Sequence, residues 1–234
     1  LPASASRSAG IRDMSLCAWP RKRVFMPLRD IEGLMFRDEN GEIIETENRP
    51  ILDLSTVPFV YEHIEDFQNR IIYYESSRGC PFSCSYCLSS IDKTVRFRSL
   101  DLVLPELQFF LDHKVPQVKF VDRTFNCKRE HTLGIWRYLV EHDNGITNFH
   151  FEVSADIFDE EELELIGKMR PGLIQLEIGV QSTNPDTIRE IHRHMDLVKL
   201  KRAVDRVYDY RNTHQHLDLG LPASRTVRKQ ISVV

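Results

Sequence analysis

The sequence predicts an α/β protein built around a parallel β-sheet. Short runs rich in β-branched and aromatic residues alternate with amphipathic segments over five cycles between residues 71 and 220, and this alternation is typical of βαβ units. Polar residues follow the ends of these runs, and ligands of parallel α/β folds bind beyond the carboxyl ends of the strands. We therefore predict parallel β/α units whose functional groups lie along one rim of the sheet.

The predicted strands have short apolar bodies with polar residues at their ends. They are 71–77 (IIYYESS), 118–122 (VKFVD), 149–156 (FHFEVSAD), 173–181 (LIQLEIGVQ) and 216–220 (HLDLG). Glu152 and Gln181 interrupt runs that are otherwise apolar. Because a buried polar side chain needs a hydrogen-bonding partner, these two residues are candidates for ligand contacts.

Helical segments are predicted between the strands because apolar residues recur at intervals of three and four. The segments are 99–113, 129–142, 159–169, a short helix that starts at Asn184-Pro185, and 197–210. Asp159 and Glu162 are spaced as an N-terminal cap pair, and a proline after Asn184 suits the first helical position. Pro105 lies inside the first segment, where proline costs about 3 kcal/mol or kinks the helix, but we still predict a helix there.

The chain outside this core has a different composition. Residues 1–66 are rich in proline, charge and turn signals. They are interpreted as a linker that contains one β-hairpin, because Asn40-Gly41 separates two short segments with apolar residues. Residues 67–221 form the predicted core, and residues 222–234 form a divergent tail.

Composition and charge argue against several classes of function. The chain has 234 residues, 41% of them hydrophobic and 28% charged, and a net charge of −4. This suits a globular domain and gives no support for general nucleic-acid or membrane-surface binding. No apolar stretch reaches the roughly 20 residues that span a membrane, and the N-terminus lacks the apolar region of a signal peptide. Three of the five cysteines are clustered, which does not suit a disulfide framework, so we expect the reducing cytoplasm.

The stretch GCPFSCSYC carries three cysteines in the spacing C-x3-C-x2-C, namely Cys80, Cys84 and Cys87. Thiolates select zinc, copper(I) or iron–sulfur clusters. Structural zinc sites and ferredoxin clusters use four ligands, whereas Cys17 and Cys127 are isolated from each other and from any further pair. The triplet therefore fits a [4Fe–4S] cluster with one open iron, and an open position is what a reactive metal site needs.

The cysteine motif with its aromatic residue, formed by Cys80, Cys84, Tyr86 and Cys87, resembles the signature of the radical S-adenosylmethionine (SAM) superfamily. The runs KFVDRTFN, FHFEVSAD and LIQLEIGVQSTN resemble later strands of the subgroup that contains methylthiotransferases and cobalamin-binding-domain proteins. The hairpin and the following LDLSTVPF resemble the connector of cobalamin-type members. The resemblance covers about residues 67–221 and implies a partial parallel (β/α) barrel in which about five of six strands are visible.

This resemblance implies a radical SAM enzyme with a [4Fe–4S] cluster and SAM as cofactors. Cys80, Cys84 and Cys87 would be the metal ligands, and the open iron would bind the amino and carboxylate groups of SAM. Reductive cleavage of SAM would give methionine and a 5′-deoxyadenosyl radical that acts on an unknown substrate, while the protein positions the reactants and excludes water. A low-potential electron donor of the flavodoxin or ferredoxin type is the implied partner.

The resemblance also implies cofactor-binding roles for polar residues at the strand ends and in the cysteine loop. The backbone near Tyr86 would pack on adenine, and the region of Asp122 would contact the SAM amino group. Arg123 would pair with a carboxylate of SAM or substrate. Hydrogen bonds to the ribose or to the methionine carboxylate are implied for Glu152, Ser154, Gln181 and Ser182.

Two features depart from the family pattern. The D-x-H-x-x-G motif of cobalamin modules does not occur in the sequence, so cobalamin is expected only in a longer parent protein. The stretch HLDLGLP resembles a shortened form of the fifth strand of the family, and the pattern is lost after it. We therefore expect a truncated member of the family.

Two other interpretations stay open. A non-catalytic iron–sulfur or zinc-binding module would use Cys127 as a fourth ligand and would hold a single zinc ion tightly. An inactive fragment would fold poorly because its sheet edge is exposed. Cooperative unfolding would contradict the second interpretation, and loss of metal after substitution of Cys84 would contradict it as well.

Overall fold

A computed structural model describes residues 27–68 and 70–219. These residues fall into two units, and the boundary between the units follows Ile51. The first unit contains the predicted hairpin, in which β1 (Met35–Arg37) pairs antiparallel with β2 (Ile43–Glu45).

The turn of this hairpin is built as its sequence predicts. Asp38 Oδ1 accepts a hydrogen bond from the backbone N–H of Asn40 at 2.9 Å. Gly41 has a φ of 84°, in the left-handed region that favours glycine. The predictions made for residues 1–26 and for the tail 222–234 concern parts of the chain outside the described ranges.

The second unit contains the predicted parallel sheet. Its strands, in chain order, are β3 (Ile72–Tyr74), β4 (Ser77–Arg78), β5 (Arg96–Phe97), β6 (Gln117–Phe120), β7 (Asn148–Val153), β8 (Ile174–Gly179) and β9 (His214–Asp218). Five of them form one parallel sheet in the order β3-β6-β7-β8-β9, whereas β4 and β5 form a separate antiparallel ribbon. The predicted fold class, a partial parallel (β/α) barrel, is confirmed. The first predicted strand, 71–77, is divided because the chain leaves the sheet after Tyr74 and then pairs with β5.

In the described residues, five α-helices lie between or beside these strands. They are α1 (Leu100–Asp112), α2 (Arg129–Glu141), α3 (Glu160–Gly167), α4 (Pro185–Glu190) and α5 (Leu197–Tyr210). The predicted capping box of Asp159 and Glu162 starts α3, and the side chain of Asn184 caps α4. Pro105 lies inside α1 and does not end it. None of the helices in the described ranges combines the length and the apolar character needed to cross a membrane.

The core lies against one face of the sheet. Alternate side chains of β6, β7 and β8 are buried on this face, and they pack against apolar side chains of α1, α2, α3 and α5. An aromatic group occupies its centre, with neighbouring ring centroids 4.3–5.9 Å apart, and consists of Phe120, Phe125, Trp136 and Phe151. Since the apolar residues take this face, the other face is left for polar side chains.

The segment between Leu52 and Phe67 packs on this core and differs from the linker that its composition predicts. Tyr61 donates a hydrogen bond through its hydroxyl to the backbone carbonyl of Tyr73, at 2.5 Å, on the outer strand β3. Arg98 donates to the carbonyl of Leu54 at 2.6 Å and pairs with the carboxylate of Glu106. A turn-rich composition does not reveal these contacts, because the partners of Tyr61 and Leu54 lie 12 and 44 positions later in the sequence.

Candidate functional site

The cysteine loop begins where the chain leaves the sheet through β4. Cys80 donates its backbone N–H to the carbonyl of Asp92 at 3.2 Å, next to the β4–β5 ribbon. Gly79 has a φ of 96°, and a Cβ at this position would lie 2.7 Å from the carbonyl oxygen of Thr94. The close approach of the two backbones therefore requires glycine, and it directs Cys80 toward the interior.

The three thiols of the motif line one cavity. Cys80 and Cys84 are buried, while Cys87 is partly exposed. The cavity has a volume of about 180 Å³ and extends from the cysteine loop to residues at the carboxyl ends of β6, β7, β8 and β9. This is the rim at which the sequence predicts the functional groups, and it is where ligands of parallel α/β folds bind.

Five of the predicted cofactor-binding residues meet the thiols in this cavity. They are Tyr86, Arg123, Glu152, Ser154 and Gln181. Residues from four separate chain segments are thus gathered around one space, and hydroxyl, carboxylate, amide and guanidinium groups all face it. Such a mixture can bind a ligand that carries both charged and hydroxyl groups.

The two other predicted residues, Asp122 and Ser182, do not line the cavity. Asp122 is fully buried, and its carboxylate accepts hydrogen bonds from Ser76 and Ser77. Burial raises the pKa of Asp122 to about 6, and the hydrogen bonds from these two serines work against that rise. Ser182 is also buried, and its hydroxyl accepts a hydrogen bond from the backbone N–H of Asn184 at 3.2 Å. The side chains of both residues are therefore occupied by neighbouring loops.

Gln181 is held in a backbone conformation that is unusual for its residue type. Its φ is 64°, in the left-handed region. Its backbone N–H donates to the carbonyl of Asp218 at 2.7 Å, and its side-chain amide donates to the carboxylate of the same residue at 3.0 Å. Strain of this kind, about 1–3 kcal/mol, persists where the surroundings fix a residue, and it concentrates at functional sites.

Arg193 is a residue of this site that the sequence does not reveal. It follows α4, and its guanidinium donates to the carbonyl of Gly179 and lies 3.8 Å from the sulfur of Cys84 and 3.2 Å from the hydroxyl of Tyr86. Its Nε is buried and has no hydrogen-bond partner among the described residues. The contacts with the cysteine loop span more than 100 positions in sequence, so no local pattern predicts them.

Two carboxylates that line the cavity, Glu152 and Glu177, lie near one lysine that is outside the lining. Lys119 Nζ lies 3.1 Å from a carboxylate oxygen of Glu177 and 3.9 Å from one of Glu152. Burial raises the pKa of Glu152, with the neighbouring charge of Glu177 as the second cause. Burial also acts on Glu177, but the hydrogen bond and charge of Lys119 outweigh it and lower the pKa. Glu177 carries the same sequence signal as Glu152, a carboxylate in an apolar strand, and could have been predicted.

Cys127 lies apart from the motif in a 3₁₀ turn, Phe125–Cys127. Burial, followed by the neighbouring Cys80, raises the pKa of its thiol to about 11, and Cys127 is not among the residues that line the cavity. Within residues 27–68 and 70–219, no three His, Cys, Asp or Glu side chains converge on a single metal ion, whereas the cysteines of a [4Fe–4S] cluster each bind a different iron.

The residues present fit a [4Fe–4S] cluster and SAM. Three soft sulfur donors face the cavity, which suits an iron–sulfur cluster. The guanidinium of Arg193 beside Cys84 compensates negative charge, and its buried Nε offers an unsatisfied donor. Ser154 and Gln181 also line the cavity, and although their side chains donate to Asp156 and Asp218, their oxygens can accept further hydrogen bonds.

The chain resembles curated proteins over most of its length. It is 24% identical over 197 residues to bacteriochlorophyllide d C-12(1)-methyltransferase of Chlorobaculum tepidum, which covers 78% of this chain and 40% of that protein. It is 22% identical over 190 residues to the anaerobic magnesium-protoporphyrin IX monomethyl ester cyclase of Rubrivivax gelatinosus, which covers 76% of this chain and 34% of that protein. The chain therefore spans less than half the length of these relatives.

Solved structures share its fold. The cobalamin-dependent S-adenosylmethionine radical enzyme OxsB superposes with a TM-score of 0.68 and 17% identity, over 82% of this chain and 30% of that one. The radical S-adenosylmethionine methyltransferase TsrM of Kitasatospora setae, with cobalamin and a [4Fe–4S] cluster bound, gives a TM-score of 0.64 and 15% identity, over 82% of this chain and 41% of that one.

A family model for the radical SAM superfamily matches residues 74–222. This range contains the three cysteines of the motif and every residue that lines the cavity beside them. Since the match extends over more than half of the chain, this protein belongs to the radical SAM superfamily, whose enzymes use a [4Fe–4S] cluster and SAM.

Proposed function

We propose that this chain is the SAM-cleaving core of a radical SAM enzyme. The observation that carries the proposal is the shared cavity, into which Cys80, Cys84 and Cys87 project beside an uncommitted guanidinium donor. In the proposal the three thiolates hold three irons of a [4Fe–4S] cluster and leave the fourth iron for SAM. When bound, this pair of cofactors supplies reductive cleavage of SAM to methionine and a 5′-deoxyadenosyl radical, which acts on an unknown substrate.

The chain's own residues bind and orient in this proposal. Ser154, Gln181 and Glu152 would hydrogen-bond the ribose or the amino-acid part of SAM, because they line the same cavity as the cysteines. Arg123 would pair with a carboxylate of SAM or substrate. The charge of Arg193 would offset the negative charge of a cluster held by Cys84, since the guanidinium lies 3.8 Å from its sulfur.

Because the chain covers 40% or less of the curated relatives named above, the electron donor and the overall reaction are proposed separately from the SAM-cleaving core. The low-potential electron that the cleavage needs would come from a flavodoxin or ferredoxin type of donor. For a longer parent protein we propose methyl transfer or ring closure, because the relatives named above are a methyltransferase and a cyclase. Cobalamin is bound by OxsB and TsrM, and we assign any cobalamin to the parent protein because the D-x-H-x-x-G motif does not occur in this sequence.

Anaerobic reconstitution with iron and sulfide tests the proposal directly. The wild-type chain should take up about four irons, and addition of SAM should change the EPR spectrum of the reduced cluster. Reduction with dithionite in the presence of SAM should then release 5′-deoxyadenosine and methionine, detected by mass spectrometry. Folded protein that takes up no iron, or one tightly held zinc instead, would refute the proposal.

Substitution of single cysteines separates the motif from the isolated thiol. Cys84→Ala should abolish cluster assembly without loss of the fold, because it removes one of three ligands. Cys127→Ala is the matched control and should keep the full iron content, since Cys127 does not line the cavity that the three other thiols share. Loss of metal from the Cys127→Ala variant would instead favour a four-ligand, non-catalytic site.

A further inference from the structure

The carboxylate of Asp122, just after β6, is hydrogen-bonded to the turn that follows β3. Asp122 follows β6 and is fully buried. Its Oδ1 accepts from the backbone N–H of Ser76 at 2.8 Å, and its Oδ2 accepts from the hydroxyls of Ser76 and Ser77 at 2.6 and 2.7 Å. A buried carboxylate without partners is costly. Three donors from two adjacent residues satisfy this one and fix the turn to the end of β6.

This turn leads directly into the cysteine loop. Ser77 is the first residue of β4, and Cys80 lies three positions later, beyond the constrained Gly79. The carbonyl of Ser76 accepts the backbone N–H of Arg98 at 2.8 Å, which holds the other side of the ribbon. A change in the position of the two serines would therefore be passed to Cys80 through a short and rigid stretch of backbone.

The loop that follows β6 also contacts Cys80. Thr124, two residues after Asp122, places its hydroxyl 3.6 Å from the sulfur of Cys80. The position of Asp122 thus bears on both the backbone that delivers the thiol and the hydroxyl that faces its sulfur. We infer that Asp122 is a positioning residue that holds Cys80 in the orientation needed to ligate the cluster. The inference rests on the proposed function, since Cys80 must be an iron ligand for its orientation to matter.

A direct contact between the Asp122 side chain and SAM is the competing role. Both carboxylate oxygens already accept hydrogen bonds, and the side chain has no exposed surface. A contact with SAM would require the turn at Ser76 to open. The backbone near Asp122 stays free to contact SAM in either case, so only the side chain distinguishes the two roles.

The test compares variants of the full chain by two measurements. The first is the alkylation rate of Cys80 by iodoacetamide in the cluster-free protein, measured by mass spectrometry relative to Cys87 of the same molecule. The second is the iron content after anaerobic reconstitution. Asp122→Leu keeps the branched shape of the side chain, with a larger volume, but accepts no hydrogen bond, so it should raise the relative alkylation of Cys80 about tenfold and remove most of the iron. Asp122→Asn keeps one acceptor, so its relative alkylation of Cys80 and its iron content should lie between those of the wild type and of Asp122→Leu.

A control variant distinguishes positioning from general destabilisation. Asn212 is buried, and its side chain donates to the carbonyls of Ile166 and Met169 at 2.7 and 3.0 Å, before β9 at the opposite end of the sheet. Asn212→Leu should lower the melting temperature while leaving the alkylation ratio and iron content unchanged. If Asp122→Leu does not fold, Ser77→Ala removes one donor only and should shift both measurements in the same direction by less.

Each outcome decides the inference. Normal alkylation and iron content in Asp122→Leu and Ser77→Ala would overturn it, as would equal changes in Asn212→Leu. Normal iron content together with lost SAM binding would favour the direct contact instead. A wild-type chain that binds no iron refutes the proposed function, and the alkylation ratio then still reports whether Asp122 orients Cys80.

Discussion

The two faces of the parallel sheet differ in almost every physical property, although they belong to the same strands. On the helix-covered face, Val118 and Phe149 are neighbours in register and are fully buried. One position along each strand, Lys119 and His150 are also neighbours in register, but they point to the other face and are partly exposed. The alternation of side chains along a strand thus separates an apolar core from a charged face of the sheet.

This difference shows that stability and ligand binding are assigned to separate residues. Removal of apolar area from water stabilises the first face and is independent of the cofactors. Charged groups on the second face are partly solvated and are paired by one lysine, so they contribute little to stability and remain able to face a ligand. Substitutions on the two faces should therefore affect different measurements.

The largest expected effect is on the apolar face. Phe151 is fully buried between the rings of Phe120, Phe125 and Trp136, so Phe151→Ala should lower the free energy of unfolding by about 3–5 kcal/mol. His150→Ala, one residue earlier on the opposite face, is the matched control and should cost about 1 kcal/mol or less. Denaturant unfolding monitored by circular dichroism measures both, and equal losses would contradict the separation of the faces.

The contribution of His131 to stability should depend on pH, because this histidine is buried on the helix-covered side and must stay neutral there. His131 of α2 is buried, with Nε2 3.0 Å from the hydroxyl of Ser76. Burial, followed by the charge of Lys128, lowers its pKa to about 4. The stability due to neutral His131 is therefore complete above pH 6.5, the ordinary value, and is lost as pH falls through about 4.

His131→Gln isolates this dependence, because glutamine keeps a donor for Ser76 and does not titrate. Between pH 7.5 and pH 5, the wild type should lose about 2 kcal/mol more free energy of unfolding than the variant. Denaturant titrations at the two pH values, at constant ionic strength, measure the difference. Parallel pH profiles would show that His131 is protonated equally in the folded and unfolded chain.

The fold was largely predictable because its signals are local. Among the described residues, helical periodicity located four α-helices, and the Asn184-Pro185 cap signal located the short α4. The capping pair Asp159 and Glu162 was recognised three positions apart. Apolar runs located the five strands of the sheet, with differences of a few residues at their ends. The division of the first strand was not predictable, because it depends on pairing of Ser77 with Phe97, twenty positions later.

The site was predictable where a motif is contiguous and not where contacts are distant. A motif of three cysteines within eight positions can be recognised directly in the sequence. Ser154 and Gln181 were predicted because the carboxyl ends of parallel strands meet at one edge of the sheet, and both line the cavity. The occupied carboxylate of Asp122 could not be foreseen, because a strand-end aspartate has the same pattern whether it faces a ligand or a turn. Arg193 was missed because its partners lie in another segment.

The smallest expected effect belongs to Arg193 and tests whether the cavity rim tunes the cofactor. Its guanidinium lies 3.8 Å from the sulfur of Cys84, and a positive charge stabilises the more negative, reduced state of a cluster bound there. Arg193→Met keeps the length of the side chain and removes the charge. A partly exposed charge interaction of about 1 kcal/mol corresponds to about 40 mV for one electron, so the midpoint potential should fall by that amount.

The matched control for this prediction is Arg189, which lies in α4 and pairs with Asp186 at 2.7 Å. Because Arg189 is exposed and already paired, Arg189→Met should leave the potential of the reconstituted cluster unchanged. A redox titration followed by EPR compares the two variants with the wild type. An unchanged potential in Arg193→Met would mean that Arg193 acts only through its hydrogen bond to Gly179. The rim would then hold the cysteine loop in place without adjusting the cofactor's affinity for an electron.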